Sequence, residues 1–334
     1  MTLVRRYRIF VTSLAILVIV LFVLSLVIGP AAIGLWGGIK ALLFGNDSEV
    51  TTVVMREIRL PRAILGAMIG ATLGLSGAVL QGYLRNPLAE PGLLGISASA
   101  SLGGVIAIYS GLSAIFPLAL PILALTGAVL AVVIIPLLAG TEGRTISVIL
   151  AGVAVTTLAA SLTTLALNLS PNPFAAVEIV FWMLGSLTDR SMTHVWLSAP
   201  FILLGWVMLA RLGRALDALT LGEGTAASLG IGLGQVQMLA ILGTACSVGA
   251  ATAVAGSIGF VGLVIPHIMR PLVGALPSRL LLTSALGGAA LLLAADIAVR
   301  VIAPGRDLKL GVLTSLVGAP FFLWLIHKTR RKLS

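Results

Sequence analysis

Residues 63–84 carry no charged side chain. As a helix rising about 1.5 Å per residue, that stretch reaches across the roughly 30 Å hydrocarbon layer of a membrane. Similar apolar runs follow one another almost end to end through the 334 residues, of which 59% are hydrophobic and 10% charged. Such a chain is no soluble domain. A barrel would show alternating segments of about ten residues, and none appear. The pattern predicts an all-α polytopic membrane protein, a single transmembrane domain over residues 1–334 with about ten helices. The expected spans are 10–29, 63–83, 93–110, 116–138, 146–168, 194–210, 236–256, 257–272, 281–299 and 311–327. Arg5, Arg6 and Arg8 precede an apolar run to Ile28, longer than the 7–15 residue core of a signal peptide, so it reads as a retained first span.

The second span holds small residues at near-helical spacing, Gly66, Gly70, Gly74, Gly77 and Ala78. Small residues let helix backbones approach closely where lipid gives no hydrophobic driving force. Polar pieces flank the span, with Arg59 and Arg62 before it and Asn86-Pro87, a proline-broken turn, after it. Basic residues favour cytoplasmic connections. With the N-terminus inside, the inner segments hold thirteen of the 21 basic residues: Arg5, Arg6, Arg8, Arg85, Arg144, Arg211, Arg214, Arg270, Arg279, Lys328, Arg330, Arg331 and Lys332. Both termini are then cytoplasmic. The net charge of +10 is spread over short connections rather than one helix face, which speaks against nucleic acid as a partner. Arg59, Arg62 and Arg300 fall at outer ends of spans, where a docking surface for an acidic partner or snorkelling to the interface accounts for them.

Shifting the sequence by 179 positions sets Gly70 on Gly249, Gly74 on Ala253, Gly77 on Gly256 and Pro87 on Pro266. An odd number of spans separates the two copies, about 59–168 and about 236–327, so they run in opposite directions as an inverted repeat, an arrangement found around the path of many transporters. Between the sixth and seventh spans, Leu216–Gln235 is polar and glycine-punctuated, and Ala226, Ala227 and Ser228 are expected to form a short helix stopped by Gly230. It has the size to fit a partner's groove.

Catalytic chemistry is sparse. No GxxxxGK[ST] phosphate loop and no metal-ligand spacing connecting His194, His267 and His327 occurs, so no cofactor or metal is expected. Cys246 is the only cysteine, in an apolar span, and reads as a packing residue. Asp296 is the one carboxylate well inside a predicted span, four residues before Arg300, a spacing that suits an intrahelical ion pair. A proton- or sodium-driven carrier would want several buried ionisable groups.

The chain resembles the FecCD-type permease subunits of ABC importers for ferric siderophores, haem and cobalamin. The resemblance rests on Arg59-Leu60-Pro61-Arg62, the run Gly74 to Gln81, Arg85-Asn86-Pro87-Leu88-Ala89 with Pro91 and Gly95, Gly256 to Arg270, Ala295-Asp296 with Arg300, and Gly311 to Pro320. It implies a second copy of the chain, two copies of a cytoplasmic ATP-binding subunit, a periplasmic substrate-binding protein and an inner-membrane location, with membrane lipid around the bundle. It further implies that Arg59, Arg62 and Arg300 meet acidic residues of the binding protein. Leu221, Gly222, Glu223, Ala226, Ala227, Ser228 and Gly230 match the coupling segment that fits the ATPase. Gly70, Gly74, Gly77, Asn86, Pro87 and Pro266 fall in its packing and gating elements. Where the family has Glu-Leu-Pro-Xaa-Gly before the last span, this chain has Asp307-Leu308-Lys309-Leu310-Gly311, and the usual Asp-His-Arg triplet appears as Pro277-Ser278-Arg279.

The expected function is transport without catalysis in this chain, the energy coming from ATP hydrolysis in a separate subunit. A ferric siderophore is the lead cargo, with haem and cobalamin as alternatives. A stand-alone membrane enzyme would need a buried nucleophile, metal site or carboxylate pair, and a secondary carrier would need membrane carboxylates.

Overall fold

The computed structural model describes residues 3–31, 33–45, 49–116, 118–140, 145–170, 172–305 and 308–330. Arg144, Arg306, Asp307, Arg331 and Lys332 lie outside them. In chain order the helices are α1 (Leu3–Val27), α2 (Leu35–Leu43), α3 (Glu49–Val53), α4 (Leu60–Tyr83), α5 (Ile96–Tyr109), α6 (Leu112–Ile115), α7 (Ala119–Ala139) and α8 (Thr145–Asn168). They continue with α9 (Pro173–Met183), α10 (Met192–Ala210), α11 (Gly213–Leu219), α12 (Glu223–Ser228), α13 (Leu233–Ala255), α14 (Val261–Met269), α15 (Pro277–Ile302) and α16 (Leu310–Arg330). Among the described residues there is no strand, and seven helical stretches are long and apolar enough to cross a membrane.

Helix α4 is the axis of the bundle. It packs on α15, α14, α13, α10 and α1, and its glycines explain how so many helices come close. A Cβ at Gly70 would overlap the Gly288 carbonyl, one at Gly74 the Ser284 carbonyl, and one at Gly77 the Gly262 carbonyl. The opposing Gly288 is equally closed in by the Gly70 carbonyl. Backbone therefore rests on backbone along the α4–α15 seam, the contact that small residues permit where lipid cannot drive association.

Each of the ten expected spans coincides with a helix, but two do not have the expected length. The spans at 93–110 and 257–272 contain α5, with 14 residues, and α14, with 9, which rise only about 21 Å and 14 Å. Both follow a chain reversal. After α4, residues 84–95 fold back so that Pro91 Cδ lies 2.9 Å from where a Gly262 Cβ would be, beside the Leu73 carbonyl. After α13, Gly256 turns at φ +73° and Phe260 at φ +68°, and α14 begins against Gly77. The 179-residue register is not kept, since Gly77 is inside α4 while Gly256 ends α13.

Helix α9 is a further element that the span map lacks. The Asn172 side chain caps it by accepting from the Phe174 N–H at 2.9 Å. Its far end meets the middle of the bundle, where the Trp182 ring closes over Gly104 of α5 and the Ser186 N–H donates to the Ala255 carbonyl at 2.8 Å.

Candidate functional site: two polar ends of one helical axis

Helix α4 carries the polar chemistry at its two ends, about 24 residues apart. At the first end, α3 passes through a π-helical turn, Val54–Arg59, into α4. Pro61 lacks the N–H that would continue the i→i−4 ladder, and the widened turn swings three arginines toward neighbouring helix termini. Arg56 donates to the Ala41 and Leu42 carbonyls at 3.1 and 2.9 Å, closing α2. Arg59, only 4% exposed, donates to the Leu26 and Val27 carbonyls at 2.8 Å each and to that of Ala31.

Arg300 reaches the same helix end from α15, donating to the Ser25 and Ile28 carbonyls at 2.8 and 2.7 Å and to Ser25 Oγ at 2.6 Å. The last carbonyls of α1 have no intrahelical partner and carry its negative dipole end, so two guanidinium groups are well placed there.

Asp296, 1% exposed, balances this cluster. Its Oδ1 meets Arg62 Nη2 at 2.8 Å and Nε at 2.9 Å, and its Oδ2 meets Arg300 Nη2 at 2.9 Å. The expected Asp296–Arg300 pair is present, and Arg62 joins it from α4. Three cations face one carboxylate, which leaves the cluster with an excess of positive charge. Arg62 and Arg300 line a cleft of about 270 Å³ with Pro30, Thr188 and Leu308. The three arginines expected to dock a partner are thus brought together, though Arg59 and most of Arg300 are committed to α1. Beside the cleft, Lys309 Nζ stands 5.4 Å from the Phe181 ring of α9, and the Lys309 carbonyl accepts the Val312 N–H at 3.1 Å, opening α16.

At the other end, Arg85 takes a left-handed backbone (φ +48°), and Asn86 Oδ1 accepts the Leu88 N–H at 2.9 Å, an Asx turn that redirects the chain at Pro87. Arg85 Nη2 reaches Glu223 Oε1 at 2.7 Å. Glu223 starts α12, the expected short helix, which runs Glu223–Ser228 between Gly222 (φ +102°) and Gly230 (φ +82°). Only Ala226 of α12 is buried, while Leu221 and Leu229 on either side are 65% and 62% exposed. Helix α11 fastens this unit to the bundle. Leu216 packs beside Gly82, and Asp217 Oδ1 accepts the Ser278 N–H at 2.8 Å at the start of α15.

In the last turn of α4, next to the Arg85 end, Gln81 forms a junction that the sequence motifs contained but did not explain. Pro266 has no N–H for the Gly262 carbonyl four residues earlier. Gln81 Nε2 supplies the missing donor, at 3.4 Å to Gly262 and 3.3 Å to the Leu263 carbonyl. Its Oε1 accepts from Arg270 Nη2 at 2.8 Å. One buried amide thus ties α4 to both ends of α14. A glutamine at the end of an apolar span, in a chain with a proline inside a later span, is the signal that could have pointed to it. Among the described residues no three His, Cys, Asp or Glu side chains gather.

Comparison with known proteins bears on what these two ends serve. The chain is 39% identical over 292 residues to the uncharacterized ABC transporter permease protein YvrB of Bacillus subtilis, covering 86% of this chain and 82% of that one. It is 37% identical over 330 residues to the vitamin B12 import system permease protein BtuC of Klebsiella pneumoniae, covering 98% and 96%. It is 38% identical over 277 residues to the Fe(3+) dicitrate transport system permease protein FecD of Escherichia coli, covering 83% and 86%. Among solved structures, one described as an inward-facing conformation of an ABC transporter superposes with a TM-score of 0.84 at 31% identity, covering 95% of this chain and 98% of the other. The model of the FecCD transport family matches residues 17–328, nearly the whole helical bundle from α1 to α16, and the chain belongs to that family.

Proposed function

We propose that this chain is the membrane-spanning permease subunit of a binding-protein-dependent ABC importer and carries no catalytic step itself. Two copies would flank the path, two ATP-binding subunits would dock at the Arg85 end on the cytoplasmic side, and a loaded binding protein would dock at the Arg59 end. The observation that carries this reading is α12. It is a six-residue helix fastened through α11 to both α4 and α15, and it presents Leu221 and Leu229 to solvent at an end rich in cations. Exposed leucines flanking a braced helix suit a hydrophobic cleft on a partner, and a short rigid lever transmits the partner's movement to the axis of the bundle.

At the opposite end, the excess positive charge around Asp296 favours an acidic partner, with Arg62 and Arg300 reached through the cleft and Arg59 holding α1 in place. Charge complementarity of this kind steers docking and weakens with salt. For cargo, the relatives named for vitamin B12 and ferric dicitrate support a metal chelate. A ferric siderophore is our lead within that class, with cobalamin and haem as alternatives.

Co-purification tests the reading. The wild-type chain, co-expressed with its ATP-binding subunit, is expected to bring that subunit down in detergent. The Leu221→Glu, Leu229→Glu double variant is expected to lose it while eluting as the same monodisperse permease. Equal recovery with both would overturn the assignment of α12.

A further inference from the structure

A deep apolar groove runs along the side of the bundle and ends at the α11–α15 junction near the Arg85 end. It opens between α1, α4, α10, α11 and α15, with a volume of about 880 Å³. Its floor is Ala67, Met68 and Ala71 of α4, the only face of that central helix left half-buried along this depth. Trp206 of α10 and Ala285 and Leu286 of α15 form the walls. Along α15 the lining runs from Ser278 to Ala289, a rise of about 16 Å, or half of the roughly 30 Å hydrocarbon layer. The groove therefore has the depth of a single leaflet.

Its polarity is one-sided. Apart from Arg211, Arg214 and Ser278, every lining residue is apolar, and those three sit together where α11 meets the start of α15, with Gly213 against Ser278. Both arginines are exposed, and among the described residues neither is ion-paired. The neighbouring Asp217 is already engaged by the Ser278 N–H. An apolar slot one leaflet deep, with two unpaired guanidinium groups at its mouth, matches an acyl chain beneath an anionic headgroup. We infer that this groove binds an anionic phospholipid from the leaflet at the Arg85 end, its phosphate on Arg211 and Arg214 and one tail against Ala71. The tail would fill the space beside the helix on which both polar ends are mounted. The inference does not depend on which cargo is carried or on the ATPase contact.

Native mass spectrometry of the full chain in detergent, titrated with phosphatidylglycerol or phosphatidylcholine of matched tails, tests it. Basic residues near a membrane surface contribute about 1 kcal/mol each toward anionic lipid, so wild type is expected to prefer phosphatidylglycerol by about 30-fold. The Arg211→Gln, Arg214→Gln variant is expected to lose that preference while still binding both lipids weakly. Ala71→Phe, which fills the slot and leaves the cations in place, is expected to weaken both lipids. Lys40→Gln, at the opposite end, is the control for bulk charge and should change neither. Equal binding of the two lipids by wild type, an unchanged preference in the double-arginine variant, unchanged affinity in Ala71→Phe, or the same loss in the control would each overturn the assignment.

Discussion

Replacing Asp296 by asparagine tests the buried charge cluster with almost no change in shape. The carboxylate is 1% exposed and holds Arg62 and Arg300 at 2.8–2.9 Å. Its removal leaves Arg59, Arg62 and Arg300 grouped around the end of α1 with no counter-charge. Removing one partner of a buried ion pair costs about 3–5 kcal/mol, because the remaining charge stays desolvated. The Asp296→Asn chain should lose that much in an unfolding titration with sodium dodecyl sulfate in mixed micelles, followed by tryptophan fluorescence. If the cost is electrostatic, the Arg62→Gln, Asp296→Asn double variant should be less destabilised than the sum of the single changes by about 2 kcal/mol, within the range seen for groups in direct contact. Loss of less than about 0.5 kcal/mol in Asp296→Asn, or strict additivity in the cycle, would refute the picture of one carboxylate neutralising a cation cluster.

Other outcomes follow from the packing. Gly74→Ala places a methyl group on the Ser284 carbonyl of α15 and should destabilise by about 1–3 kcal/mol in the same titration, whereas Gly259→Ala, with open space around it, should be neutral. Gln81→Ala removes the partner of the Gly262 carbonyl and of Arg270. It should cost about 1–3 kcal/mol and raise amide exchange across α14. Arg85→Ala breaks an ion pair whose side chains are 47% and 41% exposed. Stability should change by less than about 1 kcal/mol, so a large loss in that variant would show that Arg85 holds more than Glu223.

The long helices were legible because lipid imposes a simple rule, a charge-free run of sufficient length; α1, α4, α7, α8, α10 and α13 obey it, and α15 departs from it only near its ends and at the paired Asp296. Helix α12 was legible for a different reason. Gly230 marks its end, and the left-handed backbone there is what glycine permits at least cost. The lengths of the short helices were less so, above all for α14, which continues the apolar run of α13 without a charged break. What divides α13 from α14 is backbone geometry, and Phe260 at φ +68° is a residue that no turn propensity favours. The arginines at the first end were legible as a group but not in their roles. A guanidinium at a span boundary serves equally as a surface cation or as a cap, and only the fold shows that the open carbonyls of α1 lie within reach of Arg59 and Arg300. The lipid-sized groove was invisible for the same reason, since its lining comes from five helices separated in sequence by up to about 270 residues.

If α12 couples this bundle to an ATP-hydrolysing partner, as proposed, ATP turnover in proteoliposomes reads that coupling most directly. The permease reconstituted with its ATP-binding subunit should hydrolyse ATP faster when a binding protein loaded with a ferric siderophore or cobalamin is added on the Arg59 side, and the Leu221→Glu, Leu229→Glu variant should abolish the stimulation. Turnover that is indifferent both to the loaded binding protein and to the two leucines would contradict the account.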